Sequence, residues 1–227
     1  MNTITIRPFA AVKFAVLAAL GLAMLLLSGC HWVGVKGNGN IKTETRPIEA
    51  FTKVQADGAF EITWAAAPAG ALSITTDENL MEYMRTTLSG ETLKVEWIKP
   101  LKGTRGIKVN IASPTLSGVN LNGAVRLVAS GLSGPELVIE ANGATRIALE
   151  GNVNAMAADL NGASRLDAES LEARAIELSI SGAGKAEVNA TQVLKVTVSG
   201  AGKVTYLGNP QVTKEINGAG SVKRRDE

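Results

Sequence analysis

One short segment recurs along the second half of the chain and limits what it can fold into. In order it reads Leu121-Asn-Gly-Ala-Val-Arg-Leu127, Ala141-Asn-Gly-Ala-Thr-Arg-Ile147, Leu160-Asn-Gly-Ala-Ser-Arg-Leu166, Ile180-Ser-Gly-Ala-Gly-Lys-Ala186, Val198-Ser-Gly-Ala-Gly-Lys-Val204 and Ile216-Asn-Gly-Ala-Gly-Ser-Val222. A diverged copy, Ala56-Asp-Gly-Ala-Phe-Glu-Ile62, lies far upstream. The glycines at 123, 143, 162, 182, 200 and 218 are separated by 20, 19, 20, 18 and 18 residues. A near-constant short period marks a repeat architecture. Between turns, apolar and polar residues alternate, as in Arg146-Ile-Ala-Leu-Glu150 and Leu178-Ser-Ile-Ser181, which is the strand period. No repeat has room for a crossover helix of about ten residues besides two strands.

Two architectures meet these limits. Asn-Gly can close a β-hairpin, and a meander would place the motif at every second bend. A parallel β-solenoid stacks equivalent residues ~4.8 Å apart and so calls for matching columns. The shared apolar residues before and after the turn favour the solenoid. In that reading the Ala column (124, 144, 163, 183, 201, 219) fills a tight corner, so that Ala163→Leu overpacks it, and the Asn and Ser column before the glycines forms a hydrogen-bonded ladder. Upstream, Phe51–Ala56, Phe60–Trp64, Ala71–Thr75, Leu93–Trp97 and Ile107–Ile111 alternate as strands, Asp77 reads as the cap of a short helix, and 100–106 reads as a loop. The expected fold class is therefore all-β, a parallel β-helix or solenoid of ~18–20-residue coils with one short helix in its N-terminal part. The open ends of a solenoid need covers. The helix and a charged tail at 223–227 are the expected ones.

The N-terminus is a targeting segment. Arg7 and Lys13 precede an unbroken run of apolar residues and glycine from Phe14 to Leu27, followed by Leu27-Ser-Gly-Cys30. A basic start, an apolar run short of the ~20 residues of a comfortable membrane span, and small residues at a cut site describe a secretory signal. Leu-Ser-Gly-Cys resembles the bacterial lipobox, which implies a signal peptide at 1–29 and acylation of Cys30. His31 follows where an aspartate in that family favours inner-membrane retention, so the resemblance implies an outer-membrane location if the host has one. Residues 30–40, with glycines at 34, 37 and 39, read as a lipid-anchored tether.

Charge and residue usage narrow the function. Residues 1–29 hold two of the 23 basic residues and no acid, so 23 − 2 = 21 bases face 21 acids beyond residue 29. Such a neutral chain gives no electrostatic case for nucleic acid. With one cysteine and one histidine, both at the anchor, neither a cysteine metal cluster nor a His-based catalytic site is expected, and no cofactor motif is present. The expected head carries no catalytic residues, no metal and no cofactor. The competing readings are a polysaccharide-active β-helix enzyme, which needs gathered carboxylates, and a purely structural envelope subunit.

One column stands out. Arg126, Arg146, Arg165, Lys185 and Lys203 occupy the same place in successive turns, where the last copy has Ser221 and the diverged one Glu61. Stacked, five cations span four steps, ~19 Å. Neighbours repel by about 1 kcal/mol even in a water-like dielectric. Such a column either binds an anionic ligand, such as an acidic polysaccharide or another envelope component, or is a solvated ladder balanced by Glu140, Asp159, Asp167 and Glu187. Aromatic stacking on sugars has little support, since Tyr206 is the only aromatic after residue 100 and Trp64 and Trp97 read as core.

Residues 41–222 resemble the bacterial GIN domain, described as the head of an auto-transporter adhesin. The resemblance is carried by the Phe51 strand, the Gly58-Ala turn, Asp77-Glu-Asn-Leu80, the Leu93 strand and the Asn/Ser-Gly-Ala-Gly turns. It implies a parallel β-helix-like fold, surface exposure and binding without catalysis. This chain departs from the pattern where Arg-bearing turns replace Gly-Lys turns in the middle copies. Edge-to-edge oligomerisation is compatible with such a fold.

Overall fold

The computed structural model describes residues 34–102 and 106–225. The signal segment, Cys30, His31, Trp32 and the final two residues lie outside the described residues. The strands in chain order are β1 (Val35–Lys36), β2 (Ile41–Pro47), β3 (Lys53–Gly58), β4 (Glu61–Ala66) and β5 (Ala71–Asp77). A 3-10 helix (Glu78–Tyr83) leads into β6 (Met84–Ser89), β7 (Thr92–Trp97), β8 (Leu101–Lys102), β9 (Lys108–Ser113) and β10 (Gly118–Gly123). Then come the long bent strands β11 (Arg126–Gly143), β12 (Arg146–Gly162), β13 (Arg165–Gly182) and β14 (Lys185–Gly200). β15 (Lys203–Leu207), β16 (Gln211–Gly218) and β17 (Ser221–Arg224) end the fold.

All seven turns stack. β3, β10, β11, β12, β13, β14 and β16 pair parallel in that order, and Gly58, Gly123, Gly143, Gly162, Gly182, Gly200 and Gly218 fall in one register column. The chain is a β-solenoid, and the meander is excluded. The hydrogen-bond ladder runs on through the corner: the N–H of Ala144 donates to the Gly123 carbonyl at 2.9 Å, and that of Ala163 to the Gly143 carbonyl at 2.8 Å. That closeness is why the column is glycine. Gly162 has φ +86°, and a Cβ there would lie 2.7 Å from the Gly143 oxygen. The polar ladder is also present over four coils. Asn122 Nδ2 donates to Asp57 at 2.7 Å, Asn142 to Asn122 at 2.9 Å, and Asn161 to Asn142 at 3.0 Å.

The alanine column does not fill the corner. Ala124, Ala144, Ala163, Ala183, Ala201 and Ala219 are exposed. The next residue turns inward: Val125, Thr145, Ser164, Gly184 and Gly202 are buried. Small residues are needed there, because a Cβ on Gly184 would lie 2.8 Å from Ile180 Cγ2 and one on Gly202 2.9 Å from Val198 Cγ1. The core is built of aligned columns, among them Ile62, Leu127, Ile147, Leu166, Ala186 and Val204, all buried.

The N-terminal end inverts sequence order. β7 pairs with β3, and β9 with β4, both parallel, so β7 and β9 stack upstream of β3 and β4 although they follow them in the chain. β10 then returns to the other side of β3. Their outer edges are finished by antiparallel strands: β6 on β7, β5 on β9, and β2 on β5. β2 carries Lys42, Glu44 and Arg46 and ends at Pro47, features that discourage further strand addition.

The segment expected as a short capped helix is a 3-10 helix, with Leu80 and Met81 buried and no cap from Asp77. The Asp77 carboxylate turns instead to the Gly39 N–H at 2.6 Å. The described part of the tether, Val35–Asn40, is docked: β1 pairs with β8, and Asn79 bonds the Asn38 N–H and the Lys36 carbonyl at 2.9 Å each. Lys223 and Arg224 lie in β17 on β15, so this part of the charged tail is a strand of the last coil and not a cover. Among the described residues no helix is long and apolar enough to cross a membrane.

Candidate functional site

The cationic column forms as the spacing predicts. Arg126, Arg146, Arg165, Lys185 and Lys203 pair in register through β11, β12, β13, β14 and β15, with Ser221 closing the column at one end. At the other end Glu61 lies beside Arg126, and Lys108 beyond it. Their placement follows from alternation. Leu127, Ile147, Leu166, Ala186 and Val204 point into the core, so the residue before each points out.

Four of the five, Arg126, Arg146, Arg165 and Lys185, line one open groove of about 490 Å³, together with Asp167 and Glu187. Lys203 continues the column outside that groove. Two residues earlier in the sequence, at the turn, stands the exposed alanine column. Two residues later the register column reads Val128, Ala148, Asp167, Glu187 and Thr205. Along that column the two halves of the groove therefore differ: Val128 and Ala148 follow Arg126 and Arg146, while the acids Asp167 and Glu187 follow Arg165 and Lys185.

Compensation is partial. The Lys185 ammonium pairs with the Glu187 carboxylate. The same ammonium holds the Glu187 carboxyl below its usual range against the opposing effect of burial, helped by the charges of Arg165 and Arg225. Arg225 also pairs with Glu169. Among the described residues, Arg126, Arg146, Arg165 and Lys203 have no ion pair. Two of the four expected counterions are elsewhere. Glu140 and Asp159 share a column on the strands before the turn, where Glu140 accepts from Asn120 at 2.6 Å. Sequence spacing missed Lys108 as a member of the outer column. Its coil is out of chain order, so no period points to it.

The groove gathers two carboxylates, Asp167 and Glu187, in register on neighbouring strands. A general acid needs a carboxyl whose pKa is raised. Glu187 is shifted the opposite way. Among the described residues no group of three or more His, Cys, Asp or Glu side chains is placed to hold a metal ion. Trp64 is fully buried, its Nε1 donating to Ser113 at 2.9 Å, and the half-buried Trp97 packs on Phe60 at 5.3 Å between ring centroids; neither lines the groove.

A family model described as "Putative auto-transporter adhesin, head GIN domain" matches residues 50–210. Solved structures share the fold. One described as a "putative adhesin" from Bacteroides fragilis aligns with TM-score 0.68 at 23% identity, over 84% of this chain and 100% of that one. Another so described, from Parabacteroides merdae, aligns with TM-score 0.55 at 20% identity, over 84% and 98%. One described as a "putative lipid binding protein" from Parabacteroides distasonis aligns with TM-score 0.52 at 23% identity, over 85% and 99%. At these identities the likeness is one of fold. A search of curated proteins returns no match.

Proposed function

Because the chain belongs to the GIN-domain family of adhesin heads, we propose that it is a lipid-anchored envelope protein whose solenoid binds an anionic surface polysaccharide through the cationic column. The observation that carries this reading is the in-register column of Arg126, Arg146, Arg165, Lys185 and Lys203, of which only Lys185 has an ion pair among the described residues. A stack that keeps like charges ~4.8 Å apart with only partial compensation accepts a repulsion that an anionic ligand would relieve. Each exposed contact is worth under about 1 kcal/mol, so binding is weak per site, additive along the column and screened by salt.

Binding is tested on immobilised polygalacturonate. The triple change Arg126→Glu, Arg146→Glu and Arg165→Glu abolishes retention at low salt while the circular dichroism spectrum is unchanged. The charge-matched change of the exposed Lys53, Arg174 and Lys214 to Glu leaves retention largely intact. Equal loss in both proteins would mean net charge and not a site. The reading is non-catalytic: Glu187, held ionised by Lys185, lacks the proton a glycosidic leaving group needs. Incubation with polygalacturonate releases no new reducing or unsaturated ends, and release abolished by Asp167→Asn would overturn this part.

The anchor rests on Leu27-Ser-Gly-Cys30. Several acyl chains hold a protein where one holds only marginally. Cys30→Ala therefore moves the protein out of the membrane fraction or leaves an uncleaved precursor. Normal processing with full membrane retention would contradict it.

A further inference from the structure

Resting on that reading, we infer that the ligand is a single linear polyuronate chain lying along the solenoid axis, with one sugar ring per coil. Three features of the groove lead there. The first is pitch. Successive arginine positions repeat along the backbone at the inter-strand spacing, ~4.8 Å, close to the rise of one pyranose ring in a 1,4-linked chain. Successive rings of such a chain turn about its axis, so the carboxylates that face the groove meet guanidinium groups on every second or third coil. Arginine suits this, because its planar fork takes a carboxylate through two parallel hydrogen bonds.

The second feature is width. The unpaired cations stand in single file. Two residues before each arginine in sequence stands an exposed alanine, Ala124, Ala144 and Ala163, and two residues after it Val128, Ala148 and Asp167 form the next register column. A planar anionic membrane would bring the flanking Asp167 and Glu187, and Glu61 at the end of the file, against its own charge. A single chain can seat its carboxylates on the arginines and avoid those acids. No aromatic side chain lines this groove, so charge and spacing carry recognition, and a neutral glycan of the same shape gains little.

The third is unequal compensation. Lys185 is engaged by Glu187, so binding centres on Arg126, Arg146 and Arg165, with Lys203 as an outlying contact. Arg146, flanked by two unpaired arginines, meets the chain whichever way it shifts by one ring. Lys203 lies at the end and meets it only in some registers.

The experiment uses the full-length chain in a non-ionic detergent and galacturonate oligomers of increasing length. Affinity rises with each added ring until about five rings span the column, then levels, as linked contacts gain from effective concentration. Fully methyl-esterified oligomers, the same chain without charge, do not bind. Arg146→Glu lowers affinity for the five-ring oligomer roughly tenfold or more, and Lys203→Glu, an equal change in net charge, by no more than about threefold. Vesicles of phosphatidylcholine with phosphatidylglycerol compete poorly. Length-independent binding, or equal losses for Arg146→Glu and Lys203→Glu, would overturn the axial alignment while leaving the cationic column as a polyanion site. Binding to the vesicles without binding to the oligomers would replace the polyuronate with a membrane surface. Binding that ignores the triple arginine reversal would remove both this inference and the reading beneath it.

Discussion

Gly162→Ala should destabilise the domain by about 3 kcal/mol, which for a chain of this size lowers the melting temperature by ~6–12 °C. Two effects coincide at this residue. Its φ of +86° is a conformation that side-chain-bearing residues adopt only at a penalty. An added Cβ would also lie 2.7 Å from the Gly143 carbonyl oxygen, the oxygen that accepts the Ala163 N–H at 2.8 Å. The two coils must separate locally, which weakens that bond. The neighbouring substitution makes the contrast. Ala163 is exposed, so Ala163→Leu, larger by three carbons, should lie within about 0.5 kcal/mol of wild type. Chemical denaturation of both variants checks the pair. A destabilised Ala163→Leu with a neutral Gly162→Ala would mean that the corner is turned the other way.

Trp64→Ala should cost about 3–5 kcal/mol. Trp64 has no exposed surface. Its neighbours in the column are Ile111 on one side and the small Ala129 on the other. Ala129 is too small to replace the lost indole volume. Trp64→Phe keeps most of the ring and gives up the 2.9 Å bond from Nε1 to Ser113. Its cost should be smaller, about 1–2 kcal/mol. Urea titration of the two variants gives the order, and a Phe variant as damaged as the Ala variant would assign the stability to the hydrogen bond.

The repeated turn made the solenoid legible before any coordinates, because Gly-Ala at 18–20-residue intervals leaves no room for helices and matched columns need stacking. The cationic column was legible for the same reason: one register places every equivalent residue. Alternation also carried the side-chain directions, and the misplaced alanines come from not following it through the turn. Leu121, Val125 and Leu127 keep an even spacing on the buried side, interrupted at the turn by the exposed pair Gly123 and Ala124. The same spacing holds from Ile180 through Gly184 to Ala186.

Other features were beyond a periodicity argument. β7 and β9 stack ahead of β3 and β4, an order set by long-range pairing that no local pattern encodes. Asp77 has the residue type and position of a helix cap, yet its carboxylate is taken by the Gly39 N–H, a partner 38 residues away. The sorting of counterions depended on the turn as well. Glu140 lies only six residues before Arg146, but the Gly143-Ala144 corner puts them on different strands. Asp167 and Glu187, two residues after Arg165 and Lys185, stay on the same strands and beside the column.

Every functional step requires equivalent turns to be stacked one coil apart, and that spacing is directly measurable. The exposed alanines beside the column accept spin labels without disturbing the core. With Cys30→Ala removing the single native cysteine, pairs of labelled cysteines at 124 with 163, 124 with 183, and 124 with 201 report two, three and four steps. Pulsed electron paramagnetic resonance should show the distance growing by ~5 Å per step, to ~19 Å of backbone separation for the longest pair. Increments of ~10 Å per step, as a hairpin meander with two strands per repeat would give, would dissolve the column and the binding site with it.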